Sequence, residues 1–399
     1  MAGQNTEVCN LLVKIDGKEE IKATDTKSWK TTNGVHVTSL SIDMILDAPD
    51  QFELKFMASA EGERTVFDHV KEGAEIELGF GYDKPIPTLF KGEVIYVESE
   101  YDAQSGSFVI IRGYDFSHRL TRGMHAKTWG DGSSEDQQFS DVASEVISGS
   151  MSGEGECSDG LSADQVDDTE FKSRWVPQAM TTNYDFLKWS GSSLGRASST
   201  APTDSKKVSF RKLDINSGPV ATVCAEKIQG NNPLRTIRAR FTISTYPSYA
   251  KVRVHGWNSK AKKAFVGEAI AASPELDCSS ANSGWTPGWS AAGTAHYGSD
   301  SAGAVYERVM EYCESQEEAD KLAQGLFDSF SLRHFTGECD VKGCPEIVPG
   351  AVVELKGFGK RVSGKVLVTE ATHTVSATSG QPYITSFKFC SNAAGSVGG

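Results

Sequence analysis

Apolar residues alternate with polar ones through most of the first 120 positions. Cys9, Leu11, Val13 and Ile15 form one such run, Leu40, Ile42, Met44 and Leu46 a second, Phe52, Leu54 and Phe56 a third, and Ile76, Leu78 and Phe80 a fourth. A period of two marks strands with one buried face. Val35 and Val37 stand on the opposite parity to Leu40, and a bulge between them would return both stretches to one face. Gly106 breaks the chain before Phe108 to Arg112, as a hairpin turn does, so this part reads as an antiparallel β domain.

The period changes after Met124. Ser134 and Gln137 predict a capping box ahead of Phe139, Val142, Ala143 and Val146, one face of a short helix. Ser148 to Asp168 reads as a polar loop. Asn183 is expected to cap a second helix carrying Phe186, Leu187 and Trp189 and ending near Gly191 or Gly195, followed by a small-residue linker from Ser190 to Lys207. Alternation returns at Ile237, Ala239, Phe241 and Ile243, and at Val252 and Val254. Ser279 to Gly303 is expected to be a long loop. Ser315 and Glu318 then open the most regular helix, with Ala319, Leu322, Ala323, Leu326, Phe327 and Phe330 on one face. Strands follow, and Ser391 to Gly399 reads as a flexible tail.

The chain repeats itself. Gly73-Ala74-Glu75-Ile76-Glu77-Leu78 matches Gly350-Ala351-Val352-Val353-Glu354-Leu355 at an offset of 277, Gly92 to Val97 matches Gly364 to Thr369 at 272, and Ser105-Gly106 matches Ser379-Gly380 at 274. Each copy reads as strand, loop, strand, turn and strand. Three blocks in one order imply two copies of one β domain with material inserted between them.

Composition narrows the function by exclusion. The 399 residues suggest two or three domains, and 40 basic against 53 acidic residues give a net charge of −13. Nucleic acid and anionic membranes repel such a chain, so neither is an expected partner. No run approaches the ~18 apolar residues of a membrane span, and Met1 to Lys14 lacks a signal-peptide pattern. The eight cysteines are scattered, as free thiols in a reducing compartment are. Cys339, Cys344 and nearby His334 are the one close grouping, and without a second pair no metal or other cofactor is expected. Gly-x-Ser-x-Gly, P-loop and His-Glu-x-x-His motifs are absent. Asp167, Asp168 and Glu170 could supply the carboxylate pair of a cell-wall hydrolase, and Trp285 with Trp289 a glycan-stacking platform. A solvated polar loop and ordinary packing are the preferred accounts. Lys260, Lys262 and Lys263 beside Trp257 read as a solvated turn.

Four stretches carry a resemblance. They are Gly113-Tyr114-Asp115-Phe116-Ser117-His118-Arg119-Leu120-Thr121-Arg122-Gly123, Thr182-Asn183-Tyr184-Asp185-Phe186-Leu187, Val254-His255-Gly256-Trp257-Asn258 with the lysines after it, and Val348-Pro349-Gly350-Ala351. Together, in this order, they resemble the baseplate hub proteins of contractile tails. These are the phage late control protein D family, related to the hub region of type VI secretion spike proteins and to hubs of extracellular contractile injection systems. The resemblance implies a mainly β fold with α/β insertions. Two tail-tube-like antiparallel β-barrels would occupy residues 1–122 and 236–390, the second interrupted by a loop and long helix at 271–334. An inserted α/β domain would fill 123–235 and a tail 391–399. It implies a homotrimer whose six barrels form a pseudo-hexameric ring, a symmetry adaptor between a hexameric tail tube and a trimeric spike, touching baseplate wedge components and catalysing nothing. Such a protein would be made and assembled in the bacterial cytoplasm and form part of a phage tail or injection particle. Because this chain ends in small residues, the spike would be a separate protein. Gly113, Tyr114, Asp115, Phe116, Asp185, Phe186, Leu187, Gly256, Trp257 and Gly350 would then maintain the fold, with Gly256 and Trp257 in the second barrel. Phage, bacteriocin, secretion system and extracellular injector remain open.

Overall fold

A computed structural model describes residues 9–23, 36–58, 70–82, 85–102, 106–129, 137–149, 160–174, 176–201, 203–225, 233–246, 249–290, 304–310, 313–376 and 382–396. The first part is built from β1 (Asn10–Ile15), β2 (Lys18–Ala23), β3 (His36–Ile45), β4 (Gln51–Ala58), β5 (Glu75–Gly81), β6 (Thr88–Asp102) and β7 (Gly106–Asp115), closed off by a 3-10 turn at Phe116–Thr121. The middle begins with β8 (His125–Trp129), β9 (Gln137–Gln138), α1 (Phe139–Ser148), β10 (Ser162–Val166), β11 (Lys172–Ser173), β12 (Val176–Thr181), α2 (Asn183–Leu194), β13 (Arg196–Ala201) and β14 (Asp204–Lys212). Then come β15 (Ala221–Cys224), β16 (Leu234–Ile243), β17 (Lys251–Asn258), β18 (Lys263–Ala269), α3 (Cys278–Ala281), β19 (Trp285–Pro287), β20 (Val305–Val309) and α4 (Gln316–Ser331). The chain closes with β21 (Phe335–Lys342), β22 (Val352–Lys356), β23 (Gly364–Ser376), β24 (Tyr383–Ser391) and β25 (Ala393–Gly395).

The fold is mainly β, and the repeat is its organising fact. The strand order β1-β5-β6-β7-β4-β3 recurs as β15-β22-β23-β24-β21-β16. The second copy closes into a six-stranded barrel because β15 lies parallel to both β16 and β22. The first copy shows no β1–β3 pairing among the described residues, and β3 instead pairs with β23. Irregularities recur with the strands. Register slips between Val37 and Ser39 in β3 and between Thr236 and Arg238 in β16, 199 positions apart. It slips again between Val94 and Tyr96 in β6 and between Val368 and Glu370 in β23, 274 apart. The bulge expected between Val37 and Leu40 is therefore at Thr38.

The turn into each hairpin also matches atom for atom. Gly73 and Gly350 take φ of +83° and +82°, the left-handed region where a Cβ is costly. Their N–H groups donate to Val94 O at 2.7 Å and Val368 O at 2.8 Å, and the N–H groups of Val94 and Val368 donate back to Ala74 O and Ala351 O, each at 2.9 Å. The hairpin register pairs Glu77 with Lys91 and Glu354 with Lys365, so the second strand aligns at 274 rather than 272 and Gly92 corresponds to Val366, not Gly364. Of the Ser105-Gly106 and Ser379-Gly380 block, only Gly106, the first residue of β7, lies within the described residues.

Three apolar cores result. The first fills the β1–β7 unit and takes in Val375 and Tyr383 from the second copy. The third fills the closed barrel. The second gathers α1, α2 and α4 with β14, and also Val252, Val254 and Ala269. This divides the chain differently from the sequence expectation. The second barrel starts at β15, before residue 236. The material inserted into it runs from β17 to α4 rather than over 271–334, and it belongs to the middle core. Gly256 and Trp257 therefore sit in the small sheet β18-β17-β20, where Trp257 is 52% exposed and anchors no core.

Several local expectations are corrected. α1 starts at Phe139 after Gln138, which makes no side-chain cap bond. Thr169 Oγ1 instead accepts from Ser140 N at 3.3 Å, while Gln137 lies in β9 and Ser134 outside the described residues. Thr182, not Asn183, caps α2, accepting from Asp185 N at 3.0 Å, and the helix ends at Gly195 with φ +65°. The supposed linker 190–207 holds the end of α2 and strands β13 and β14, and the supposed loop 148–168 holds β10. Part of 279–303 forms α3 and β19. The supposed tail begins inside β24 and continues as β25, which pairs with β19, and Ser391, Asn392 and Ala393 are fully buried.

Candidate assembly site

The glycine-tyrosine-aspartate stretch at 113–115 ends β7 and ties the first unit to the middle core. A Cβ at Gly113 would lie 1.8 Å from Glu93 O and 2.8 Å from Phe52 Cε1, so only glycine lets β6 and β7 pack this closely at their bulge. Asp115 follows, 2% exposed. Its Oδ1 accepts from Ser117 N at 3.1 Å and Ser117 Oγ at 2.6 Å, and its Oδ2 from Thr200 Oγ1 of β13 at 2.5 Å. Burial raises its pKa above the usual carboxylate range, and these bonds partly offset the shift. Phe116 is buried under Arg119 and Lys206, whose charged heads lie 4.9 and 4.6 Å from its ring centre. Tyr114 stacks on His118.

Glu93 is the hub of this latch. Glu93 is 6% exposed, and its carboxylate receives Arg119 and, at 3.3 Å, Arg122, which also donates to His118 Nε2 at 3.0 Å. Burial lowers the basicity of His118. The sequence reading missed Glu93. The available signal was the difference between the repeats, since the equivalent position holds Leu367. In the middle core, Asp185 accepts Thr182 Oγ1 at 2.8 Å, Phe186 packs on Phe139 with ring centres 5.6 Å apart, and Leu187 is fully buried. Gly350 makes the turn described above. The ten motif residues are thus dispersed over the latch, α2, the small sheet and the second barrel's turn, and they line no common cleft.

The second element is the junction of the two copies. β3 and β23 pair antiparallel from Ile45 opposite Glu370 to Ser39 opposite Ser376. Leu46 N donates to Thr369 O at 3.0 Å and Thr372 Oγ1 to Asp43 Oδ1 at 2.7 Å. Leu40, Ile42 and Met44 on one strand and Ala371, His373 and Val375 on the other are 0–1% exposed. His373 bonds to Tyr383 OH at 2.9 Å and to Ile347 O at 3.0 Å through its two ring nitrogens.

Burial lowers the pKa of His373 to about 4, below its usual 6.5. The unfolded chain therefore takes up this proton first as the pH falls, so stability drops between about pH 6.5 and 4 and the loss levels off below. Urea unfolding of wild type and His373→Gln across this range is expected to show a difference between the curves that changes by about 3 kcal/mol. Parallel curves would show that this imidazole is not held neutral.

The other candidate chemistry is placed as follows. Glu170 accepts from Lys212 at 3.1 Å and from Lys321, and these partners lower its pKa to about 2. Asp168 accepts from Glu170 N at 2.7 Å and Asp167 from Lys212 N at 2.7 Å. A glycosidase acid needs a raised pKa, whereas Glu170 is fixed as a carboxylate. Trp285 is 8% exposed, packs on Phe335 and donates to Ser363 O at 3.2 Å, while Trp289 packs on Phe327. They form no stacking platform. Cys339 faces the third core and Cys344 donates to Glu346 at 3.0 Å, and burial lifts both thiols to about 12. His334 bonds to Ser244 O at 2.8 Å. Among the described residues, no three His, Cys, Asp or Glu side chains come together as a metal cluster, and no helix is long and apolar enough to cross a membrane.

The architecture is that of phage tail proteins. The tail protein from Neisseria meningitidis MC58 superposes with a TM-score of 0.62 at 13% identity, covering 96% of this chain and 97% of that one. The 43 kDa tail protein of prophage MuSo2 from Shewanella oneidensis gives 0.61 at 13% identity, covering 96% and 98%. The E. coli c3393 protein, a type VI secretion component described as structurally similar to the T4 tail proteins gp27 and gp5, gives 0.51 at 11% identity, covering 95% and 76%. No curated protein matches the sequence. Residues 5–377 match the family model described as the Alg8 N-terminal domain, and the chain belongs to that family.

Proposed function

We propose that this chain is a structural baseplate hub of a phage tail or contractile injection machine, and that three copies form a ring joining a hexameric inner tube to a trimeric spike. The observation that carries the reading is the duplicated six-stranded unit, whose two copies share strand order, both bulges and the glycine turn. Three chains would present six similar units, which reconciles sixfold and threefold neighbours. The tail-protein fold supports the same role. The tube protein would sit on one side, a separate spike chain on the other, and wedge components at the rim, within a particle assembled in the bacterial cytoplasm. The hub acts by shape and catalyses nothing; the carboxylates proposed for hydrolysis are tied up in caps and ion pairs.

Native mass measurement of the purified chain, alone and mixed with the tube and spike proteins of its own gene cluster, tests this. A trimer that binds both is expected. A chain that stays monomeric and is missing from purified tail particles overturns the reading.

A further inference from the structure

Inside one chain, an edge of the first copy meets an edge of the second: β3 pairs with β23. The repeat assigns each of these strands a counterpart. β16 corresponds to β3 at an offset of 199, and β6 corresponds to β23 at an offset of 274. Both counterparts are open along the matching stretch. Among the described residues, β6 ladders with β5 from Thr88 to Glu93, and the backbone from Tyr96 to Asp102 ladders with β7 alone. Among the described residues, β16 ladders with β15 at Leu234 and Arg235, and the backbone from Arg238 to Ile243 ladders with β21 alone. Open edges of this length invite pairing with another chain.

We infer that β16 of one copy adds to β6 of a second copy in the register of the internal junction. Applying the two offsets puts Tyr96 opposite Ser244, Val97 opposite Ile243, Glu98 opposite Thr242, Ser99 opposite Phe241, Glu100 opposite Arg240 and Tyr101 opposite Ala239. Three properties of these positions fit. First, the faces agree. Val97 is packed against the first core and Ala239, Phe241 and Ile243 against the third, while Glu98, Glu100, Arg240 and Thr242 are exposed. Second, the chemistry is complementary. In the internal junction Thr372 donates to Asp43; at the new one, Glu98 replaces the threonine and Thr242 the aspartate, so the same hydroxyl–carboxylate pair recurs with its ends exchanged. The Leu46–Thr369 bond makes that pair directly hydrogen-bonded through the backbone, so Asp43–Thr372 and its equivalent Glu98–Thr242 are non-hydrogen-bonded pairs, as is Glu100–Arg240. Side chains lie closest at such pairs, and opposite charges there stabilise the sheet. Third, the edges expose what a partner would cover. Tyr96 and Tyr101 are 56% and 70% exposed, whereas Val375, which corresponds to Tyr101 and lies in the internal junction, is fully buried.

The contact joins two different edges, so it is heterologous and generates a ring or an open filament. Closure at three copies rests on the hub reading; the register does not. The two can be separated by experiment. Chains carrying Glu98→Cys and chains carrying Thr242→Cys are mixed and mildly oxidised. A disulfide-linked pair of chains is expected on a denaturing gel only in the mixture. Arg240→Glu and Glu100→Arg are each expected to weaken self-association about tenfold, and the double variant to recover most of it. A wild-type trimer with no cross-link and no response to either charge reversal overturns the register and leaves the hub standing. A cross-link with an open-ended mass distribution supports the edge pairing and overturns closure at three. A wild-type chain that is monomeric at all concentrations and yields no cross-link overturns both.

Discussion

Leu326→Asp is expected to destabilise the protein by about 4 kcal/mol or more, combining the 2–5 kcal/mol typical of losing a buried leucine with the cost of an unpaired buried polar group. Leu326 is 4% exposed on the face of α4 that also carries Ala319, Leu322, Ala323 and Phe327. That face lies on β17, β18 and α2, so the change strikes the contact between the small sheet and the rest of the middle core. The new carboxyl would be held protonated, with a folded pKa above its unfolded one. Its penalty therefore grows as the pH rises past the unfolded value, and the variant is expected to melt relatively higher at pH 5 than at pH 8. Leu326→Met keeps volume and polarity and should cost less than about 1.5 kcal/mol. An unchanged melting temperature for the aspartate variant would show that this helix face is not buried.

What could be read from the sequence followed the size of the buried face. The runs at 9–15, 40–46, 52–56 and 76–80 became strands because each buries a full row of large side chains, and the α4 heptad pattern did the same for a helix. A bulge between Val37 and Leu40 was legible because the parity of the apolar residues reverses there, and the pairing register puts it at Thr38. Ile237 misled for the same reason. It looked like one more member of the row at 239, 241 and 243, yet the β16 bulge turns it outward and leaves it 47% exposed. Strands made of small polar residues gave no period at all. β13 reads Arg-Ala-Ser-Ser-Thr-Ala, and its Ala197 and Ser198 are buried by close backbone approach, with Ser198 N donating to Asp47 Oδ1 at 2.7 Å. Asn392 shows the same limit at the chain's end. It accepts from Cys278 N at 3.0 Å and donates to Leu276 O at 2.7 Å, a buried bridge no hydrophobic pattern announces.

The candidate site divides along similar lines. Repeat matching exposed the glycine turns, whose φ requirement fixes the residue type. It could not place β17, β18 and α4 in the middle core, because that depends on which surface an inserted segment covers, and neither period nor motif encodes the choice. The junction partners were visible only once bulge positions supplied exact offsets, which need pairing registers. The net charge of −13 likewise does not show that the inferred register sets Glu100 opposite Arg240.

Gly113→Ala is the substitution expected to do the most damage for the least chemistry. Its methyl group would stand 1.8 Å from Glu93 O, a backbone atom held in the β6–β7 ladder, and 2.8 Å from a buried ring. Neither neighbour is the free end of a flexible chain, so the strands must separate. The expected cost is at the upper end of the 1–3 kcal/mol typical of overpacking, or beyond it. Separation would also displace Glu93, and with it the anchor for Arg119 and Arg122, so the joint between the first unit and the middle core should loosen before either unit unfolds. Gly73→Ala is the matched control. It meets nothing within 4 Å but keeps φ at +83°, so it pays only backbone strain, about 1–2 kcal/mol. Hydrogen exchange reads both effects: Gly113→Ala should speed exchange in β6, β7 and the turn 116–121, and Gly73→Ala should lower global stability without that local signature. Equal, uniform losses in the two variants would mean that the close approach at Gly113 tolerates a side chain and that Glu93 is not the joint's anchor.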